Sequence, residues 1–311
     1  MNPRGPDIEH GLDDFEQEVV AGGSASAVHS FQGRFEPTLD KTLSQNALAL
    51  EKDSPTVARY SIGGQALRFT AALLLGERLH LALVELSGGS SIFTGCDESG
   101  SPLKGHAHAF ILSESNMAMG RGRNGEITHV TIYAPAGFGS SEISALEDLE
   151  AVQGSGLYVQ LNLLGLGRPE DFGGLDLSLG QSSLLAESRT WVSRTPFIPT
   201  RHPKATRAGV PKVDASGLQI GSPEHELRRL LELAGFPVPV AVDSVSCTAL
   251  GDYKVPWHAF LRQRGNGEGR RAANGAGYGF RIEFSESVRG PVAVGYGAHF
   301  GMGGFEGENR L

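Results

Sequence analysis

The sequence predicts an α+β protein made of two β-α-β-β-α-β units in tandem. Strand and helix patterns alternate in the order this unit needs from residue 57 onward. At 311 residues the chain is long enough for two cores. Its 43 glycines gather in loops without a collagen-like period, and the densest group closes the second unit as "VAVGYGAHFGMGGF" (292–305). Glycine interrupts strands and loses the most entropy on folding, so that stretch must meet positive φ angles or a very close approach.

The elements follow in order. "VARYSI" (57–62) reads as a short strand, and an apolar helix spans 65–86 despite Gly76. A Gly/Ser loop (87–105) leads to "HAHAFIL" (106–112), whose alternation suits a strand. "ITHVTIYAP" (127–135) is a strand ended by Pro135. "SSEISALEDLEAV" (140–152) opens with serines followed by Glu142 and reads as a capped helix. "LYVQLNLLGLG" (157–167) completes a ferredoxin-like order. The second unit is looser, with a strand near 190–195 and a Pro-rich loop (196–223). A helix over 222–235 has Ser222 as N-cap, Pro223 at its first position and Gly235 as C-cap. Strands are expected near 238–246, 257–263, 278–284 and 291–296. The divisions are therefore 1–56, weakly ordered, 57–175 and 176–311.

Composition narrows the class. Hydrophobic residues make up 40% and charged residues 20%, as in ordinary globular proteins. Two cysteines, Cys96 and Cys247, cannot build a disulfide framework or a zinc ribbon, which points to a reducing, cytoplasmic setting. The polar, acidic N-terminus is no signal peptide. The longest apolar stretch (69–86) carries Glu77, Arg78, His80 and Glu85, which excludes a membrane span. A net charge of −8 argues against nucleic-acid binding over the whole surface. Basic residues nevertheless gather in "RTWVSRTPFIPTRHPKATR" (189–207) and "RQRGNGEGRR" (262–271). Either run can be a solvated face or an RNA contact.

Several segments together resemble a known family: "GHAHAFILSE" (105–114), "ITHVTIYAPAGF" (127–138), "LLGLGRPEDFGGL" (163–175), "RTWVSRTPFIPTRHPK" (189–204) and "GYGFRIEFSESVRGPVAVGYGAHFGMG" (277–303). Over about residues 57–305 the chain resembles the RAMP superfamily of CRISPR-associated RNA-binding proteins. Within it, the similarity is to the type I-G (formerly I-U) subunit that fuses a crRNA-tag-binding module to a repeat-cleaving endonuclease module. The fused form carries a further RAMP module ahead of this region, and residues 1–56 are too few to hold one. The chain is therefore expected to be the repeat-endonuclease half. The resemblance implies tandem ferredoxin-like units, RNA as substrate, metal-independent cleavage to a 2′,3′-cyclic phosphate and a 5′-hydroxyl, no cofactor, and partners in CRISPR repeat RNA and the other subunits of a type I effector complex. A non-catalytic crRNA-binding subunit of such a complex is the alternative.

Metal-independent RNA cleavage needs a base for the 2′-hydroxyl, an acid for the leaving 5′-oxygen and a cation for the charged phosphorane. Histidine suits the first two roles near neutral pH. In "KGHAHAF", His106 and His108 share one strand face, Gly105 leaves backbone room, and Lys104 supplies a cation. The family's GHxHA segment matches here, which implies a catalytic or RNA-positioning role for His106 and His108. Two other readings stand beside it: histidines satisfied within a sheet, or a metal site with His129 on the next strand. His80, among leucines on the first helix, reads as structural, although some repeat endonucleases place their catalytic histidine on such a helix. His299 either contacts RNA or caps a turn. For RNA binding, Arg194, Arg201, His202 and Lys204 lie on the Pro-stiffened loop, with Phe197 available for stacking. Arg262, Arg264, Arg270 and Arg271 flank a glycine hairpin, and Gly295, Gly297, Gly301 and Gly303 expose backbone N–H groups to phosphate.

Overall fold

The computed structural model describes residues 54–97, 99–103, 107–115, 125–154, 156–176, 181–260 and 276–308. Lys104, His106, Arg262, Arg264, Arg270, Arg271 and nearly all of 1–56 lie outside them.

The first sheet contains β1 (Val57–Gly64), β2 (Phe110–Glu114), β3 (His129–Tyr133), β4 (Ala151–Gly154) and β5 (Leu157–Gly167). Its order is β2-β3-β1-β5-β4, antiparallel throughout. Alternation on β5 turns Leu157, Val159 and Leu161 inward and Tyr158, Gln160 and Asn162 outward. Helix α1 (Ala72–Leu86) buries Leu75, Leu79 and Leu83, four residues apart, against this sheet. Full burial of each leucine contributes about 1.5–3 kcal/mol. The short α2 (Ser91–Thr94) follows, and α3 (Ser140–Glu147) comes after β3.

Three boundaries in the first unit differ from the sequence reading, the strand expected over 106–112 beginning only at Phe110 and running to Glu114. Residues 65–68 do not begin α1, because Arg68 pairs with Glu126 and a 3₁₀ turn (Phe69–Ala71) precedes the helix. The helix expected to run to 152 stops at Glu147, since Val152 is recruited opposite Val159 as an extra edge strand.

The second sheet contains β6 (Glu187–Ser193), β7 (Ala241–Val245), β10 (Gly279–Arg289), β11 (Val292–Ala293) and β12 (Gly304–Glu308), in the order β11-β12-β6-β10-β7. A one-turn helix, α4 (Pro169–Phe172), lies before it, and α5 (Pro223–Leu233) follows β6. The Ser222 hydroxyl accepts from the His225 N–H, and Gly235 takes φ +83°, so the predicted caps are in place. β8 (Cys247–Leu250) and β9 (Tyr253–Pro256) form a separate hairpin. The strand expected at 257–263 is absent from its described part: Trp257–Ala259 is a 3₁₀ turn whose indole packs into the first core. A final strand, β12, was not anticipated, because "GFEGE" has no β-branched residue.

Ranked by chain order, β2-β3-β1-β5 and β7-β10-β6-β12 are the same arrangement: second, third, first, fourth. A helix follows the first strand of each. Where α3 follows the third strand of the first sheet, the second sheet has the glycine-rich segment 290–303, with only a 3₁₀ turn (Ala298–Phe300). This segment inserts between the sheets. One face of β2, Phe110 and Leu112, packs on Leu184, Ala293 and Ala298, and Met302 joins the first core.

Candidate functional site

The glycine-rich segment reaches the first sheet with its backbone. A Cβ on Gly76 of α1 would lie 2.4 Å from the Phe300 carbonyl oxygen, so only a bare glycine lets the segment rest on the helix. Gly303, at φ +59°, would place a Cβ 1.9 Å from the Val294 oxygen. The close approach that the sequence demanded is thus made to the chain's own backbone. The Gly301 N–H bonds the Ala298 carbonyl at 3.2 Å, and the Gly303 N–H bonds the Pro196 carbonyl at 3.0 Å. Both N–H groups serve the fold, which corrects their expected role as phosphate donors.

This packing delivers His299 onto the lead-in to β2. Its ring sits between His108 and Phe110; His108 lies in the bend just before β2, and not on a strand as the sequence suggested. The ring centroids are 3.4 Å from His108 and 3.9 Å from Phe110, with interplanar angles of 21° and 30°. His299 Nδ1 lies 3.1 Å from the Ala109 carbonyl oxygen. A carbonyl only accepts, so Nδ1 carries the hydrogen, and in the neutral ring Nε2 holds the lone pair that takes a proton. Next in sequence, Phe300 meets the edge of His80 at 5.1 Å. His80 lies one turn beyond Gly76 on α1, on the side that faces the segment. All three imidazoles are half-buried.

The stack has an electrostatic consequence. Two imidazolium charges 3.4 Å apart repel by about 5 kcal/mol at an effective dielectric of about 20.

Other expected site residues fall elsewhere. Arg194 is 9% exposed and is engaged inside the protein. Its Nη1 donates to Glu306 Oε1 at 3.0 Å and to the Ala249 carbonyl at 2.5 Å, Nη2 donates to the Ser115 carbonyl at 3.2 Å, and the guanidinium stands over the Phe69 ring. The expected RNA contact at Arg194 is therefore corrected to a structural tie. Phe197 is likewise core, packed on Phe280. Burial pushes the Glu306 carboxyl above its ordinary value, while Arg194 and the Ser183 hydroxyl pull it back.

His202 and Lys204 are exposed on an arm of residues 201–221, held by the bridges Ala205–Pro211 and Val213–Gln219. Arg201 is half-buried at its base, close enough to Glu226 to lower that carboxyl.

The metal alternative fails on register. β2 pairs with β3 so that Phe110 faces Tyr133 and Glu114 faces His129, which leaves His108 beyond one end and His129 at the other. The whole length of β2 lies between them, four residue steps or about 13 Å, with His108 further out in the bend before it. His129 is buried, with Nδ1 2.9 Å from Thr128 Oγ1. Burial lowers its pKa, which Glu114 raises and Arg59 lowers in turn. Among the described residues there is no group of three or more His, Cys, Asp or Glu arranged to hold a metal ion, and no helix long and apolar enough to cross a membrane.

No family model matches the chain, and no curated protein matches it. Solved structures give distant likenesses. A structure described as "CRISPR associated protein Cas6" superposes at a TM-score of 0.39 and 6% identity, over 83% of this chain and all of that one. "An RAMP protein binding different RNA substrates" gives 0.36 and 10% over 81% of this chain and 98% of that one. A Cas6 product complex gives 0.32 and 14% over the same shares. These likenesses concern the whole fold and assign no role to any residue of this chain.

The pairing of His299 with His108 was not read from the sequence. A signal for it was present: a glycine inside an apolar helix, Gly76, and a glycine-dense stretch around a histidine are two halves of one close contact.

Proposed function

We propose that this chain processes CRISPR RNA as a metal-independent endoribonuclease of the RAMP type, with His108 and His299 as its acid–base pair. The observation that carries the reading is the stack itself, which joins two candidate histidines far apart in the chain. In this mechanism one neutral imidazole, His299 through Nε2, takes the proton of the 2′-hydroxyl. The 2′-oxygen attacks the adjacent phosphorus, the bond to the 5′-oxygen breaks, and protonated His108 supplies that oxygen with its proton. The products are a 2′,3′-cyclic phosphate and a 5′-hydroxyl. His106 and Lys104 precede His108 by two and four residues and would supply a further imidazole and the cation. His202, Lys204 and Arg201 at the exposed arm, with Arg262, Arg264, Arg270 and Arg271, would hold the RNA backbone.

The shared strand order supports reading the two sheets as tandem ferredoxin-like units, the glycine-rich segment standing in for the last helix of the second. With the sequence resemblance, this favours the repeat-endonuclease half of the type I-G subunit, its product kept within a type I effector complex.

The test is cleavage of repeat RNA from the source organism's own arrays in EDTA, with the product ends identified. His108→Ala and His299→Ala are each expected to slow cleavage by about 10²–10⁴-fold while RNA is still bound. Tight binding by the unaltered protein without product sinks the enzyme reading. It favours the second one, a crRNA-binding subunit without catalysis. That reading draws on the same stack, since a ring wedged between two others and tied to a carbonyl also serves packing.

A further inference from the structure

The face of β2 that meets His299 continues through Leu112 to Glu114, where the strand encounters the C-terminal segment a second time. Glu114 accepts from Arg59 Nη2 at 3.1 Å and from Thr131 Oγ1 at 2.5 Å. Across the seam, Glu306 of β12 accepts from Arg194 Nη1 at 3.0 Å and from Ser183 Oγ at 3.1 Å. Between the two carboxylates lies a cavity of about 10 Å³, bordered by Ser113, Glu114, Ser115, Ser183, Arg194 and Glu306. Ser115 is 7% exposed, and its hydroxyl oxygen is buried with no hydrogen-bond partner among the described residues.

A buried hydroxyl without a partner is costly, and native structures rarely leave one so. The cavity's volume matches the room one water molecule needs, and its walls supply the two to four polar groups that hold one. We infer that this cavity binds a single ordered water, which accepts the Ser115 hydroxyl hydrogen and donates its own hydrogens to Glu114 and Glu306. A cation fits less well. Each carboxylate already faces a guanidinium, Arg59 or Arg194, and the Ser115 hydrogen needs an acceptor. The water links a carboxylate of the first sheet to one of the second, about 13 Å along β2 from the ring of Phe110 in the histidine stack. Together with Arg194 it gives β2 and the C-terminal segment two points of attachment. This inference does not depend on the nuclease reading.

A crystal structure of the full chain, at a resolution that shows ordered solvent, tests it. One peak is expected within about 3.2 Å of Ser115 Oγ and of one oxygen on each carboxylate. No peak, a Ser115 hydroxyl bonded directly to protein, or a peak ringed by oxygens at about 2.4 Å, the spacing of a bound cation, overturns it. Stability gives a second measurement. Ser115→Val fills the cavity and expels the water, so its urea midpoint should lie below that of Ser115→Ala, which leaves the water to the carboxylates. A Ser115→Val midpoint equal to or above that of Ser115→Ala overturns the assignment.

Discussion

Replacing Gly76 by alanine measures how tightly the glycine-rich segment rests on α1. In an unencumbered helix interior this change stabilises by about 1 kcal/mol, because glycine has the poorer propensity. Here the new Cβ would meet the Phe300 carbonyl oxygen at 2.4 Å, its carbon at 2.7 Å and its Cα at 3.0 Å. Those are backbone atoms, not the end of a side chain that could swing aside. Relief requires Phe300 and its neighbour His299 to retreat by about 1 Å, given that carbon contacts settle near 3.5–4.0 Å. Overpacking of this kind costs about 1–3 kcal/mol. The net effect is a loss of up to about 2 kcal/mol, opposite in sign to the propensity gain. Thermal unfolding should show it as a drop of a few degrees, at roughly 2–4 °C per kcal/mol for a domain of this size. Under the proposed function cleavage should slow as well, because His299 moves with the segment. A midpoint raised by the full propensity gain would refute the contact, and with it the account of why His299 lies on His108.

Further outcomes follow from the same contacts. Arg194→Ala should destabilise by about 3–5 kcal/mol by leaving Glu306 buried without its cation, as read by urea unfolding, whereas an exposed RNA-binding arginine would cost almost nothing. Lys204→Ala should leave the unfolding midpoint in place but weaken RNA binding and make the salt dependence shallower, by about 0.7 in the log–log slope for single strands. Glu226 supplies a pH signature. Burial alone would raise its pKa, but hydrogen bonds from Arg229 and Thr200 and the charges of Arg229 and Arg201 bring it below the usual value. Its contribution is therefore complete above the ordinary glutamate value of about 4.3 and is lost as pH falls through the lower folded value. Glu226→Gln should flatten the acid limb of the stability profile, and an acid limb as steep as the unaltered protein's would count against this pairing.

What the sequence made legible was local. Strand β5 announced itself through the alternation of Leu157, Val159 and Leu161 with polar residues, and α5 through Ser222, Pro223 and Gly235. These signals act over two to four residues, the range in which backbone geometry repeats. The role of Arg194 was not legible. Its carboxylate partner Glu306 lies 112 residues away, so a basic run read as solvent-facing turned out to be partly buried. Strand β12 lacks β-branched residues and is held by β6, not by its own propensity. For the candidate site, His108 stood out in sequence and His299 was left between two roles. Only the tertiary fold, across a sequence separation of 190 from Ala109 to His299, brings them together.

That separation has a consequence for synthesis. A ribosome delivers the residues of β1 through β5 well before it reaches His299, and domains generally fold as units in the order they emerge. The first sheet can therefore assemble while His108 and Phe110 still await the ring of His299. The ring of His299 reaches its place only when residues 290–303 settle against α1 and β2, so the histidine stack is among the last contacts that synthesis allows.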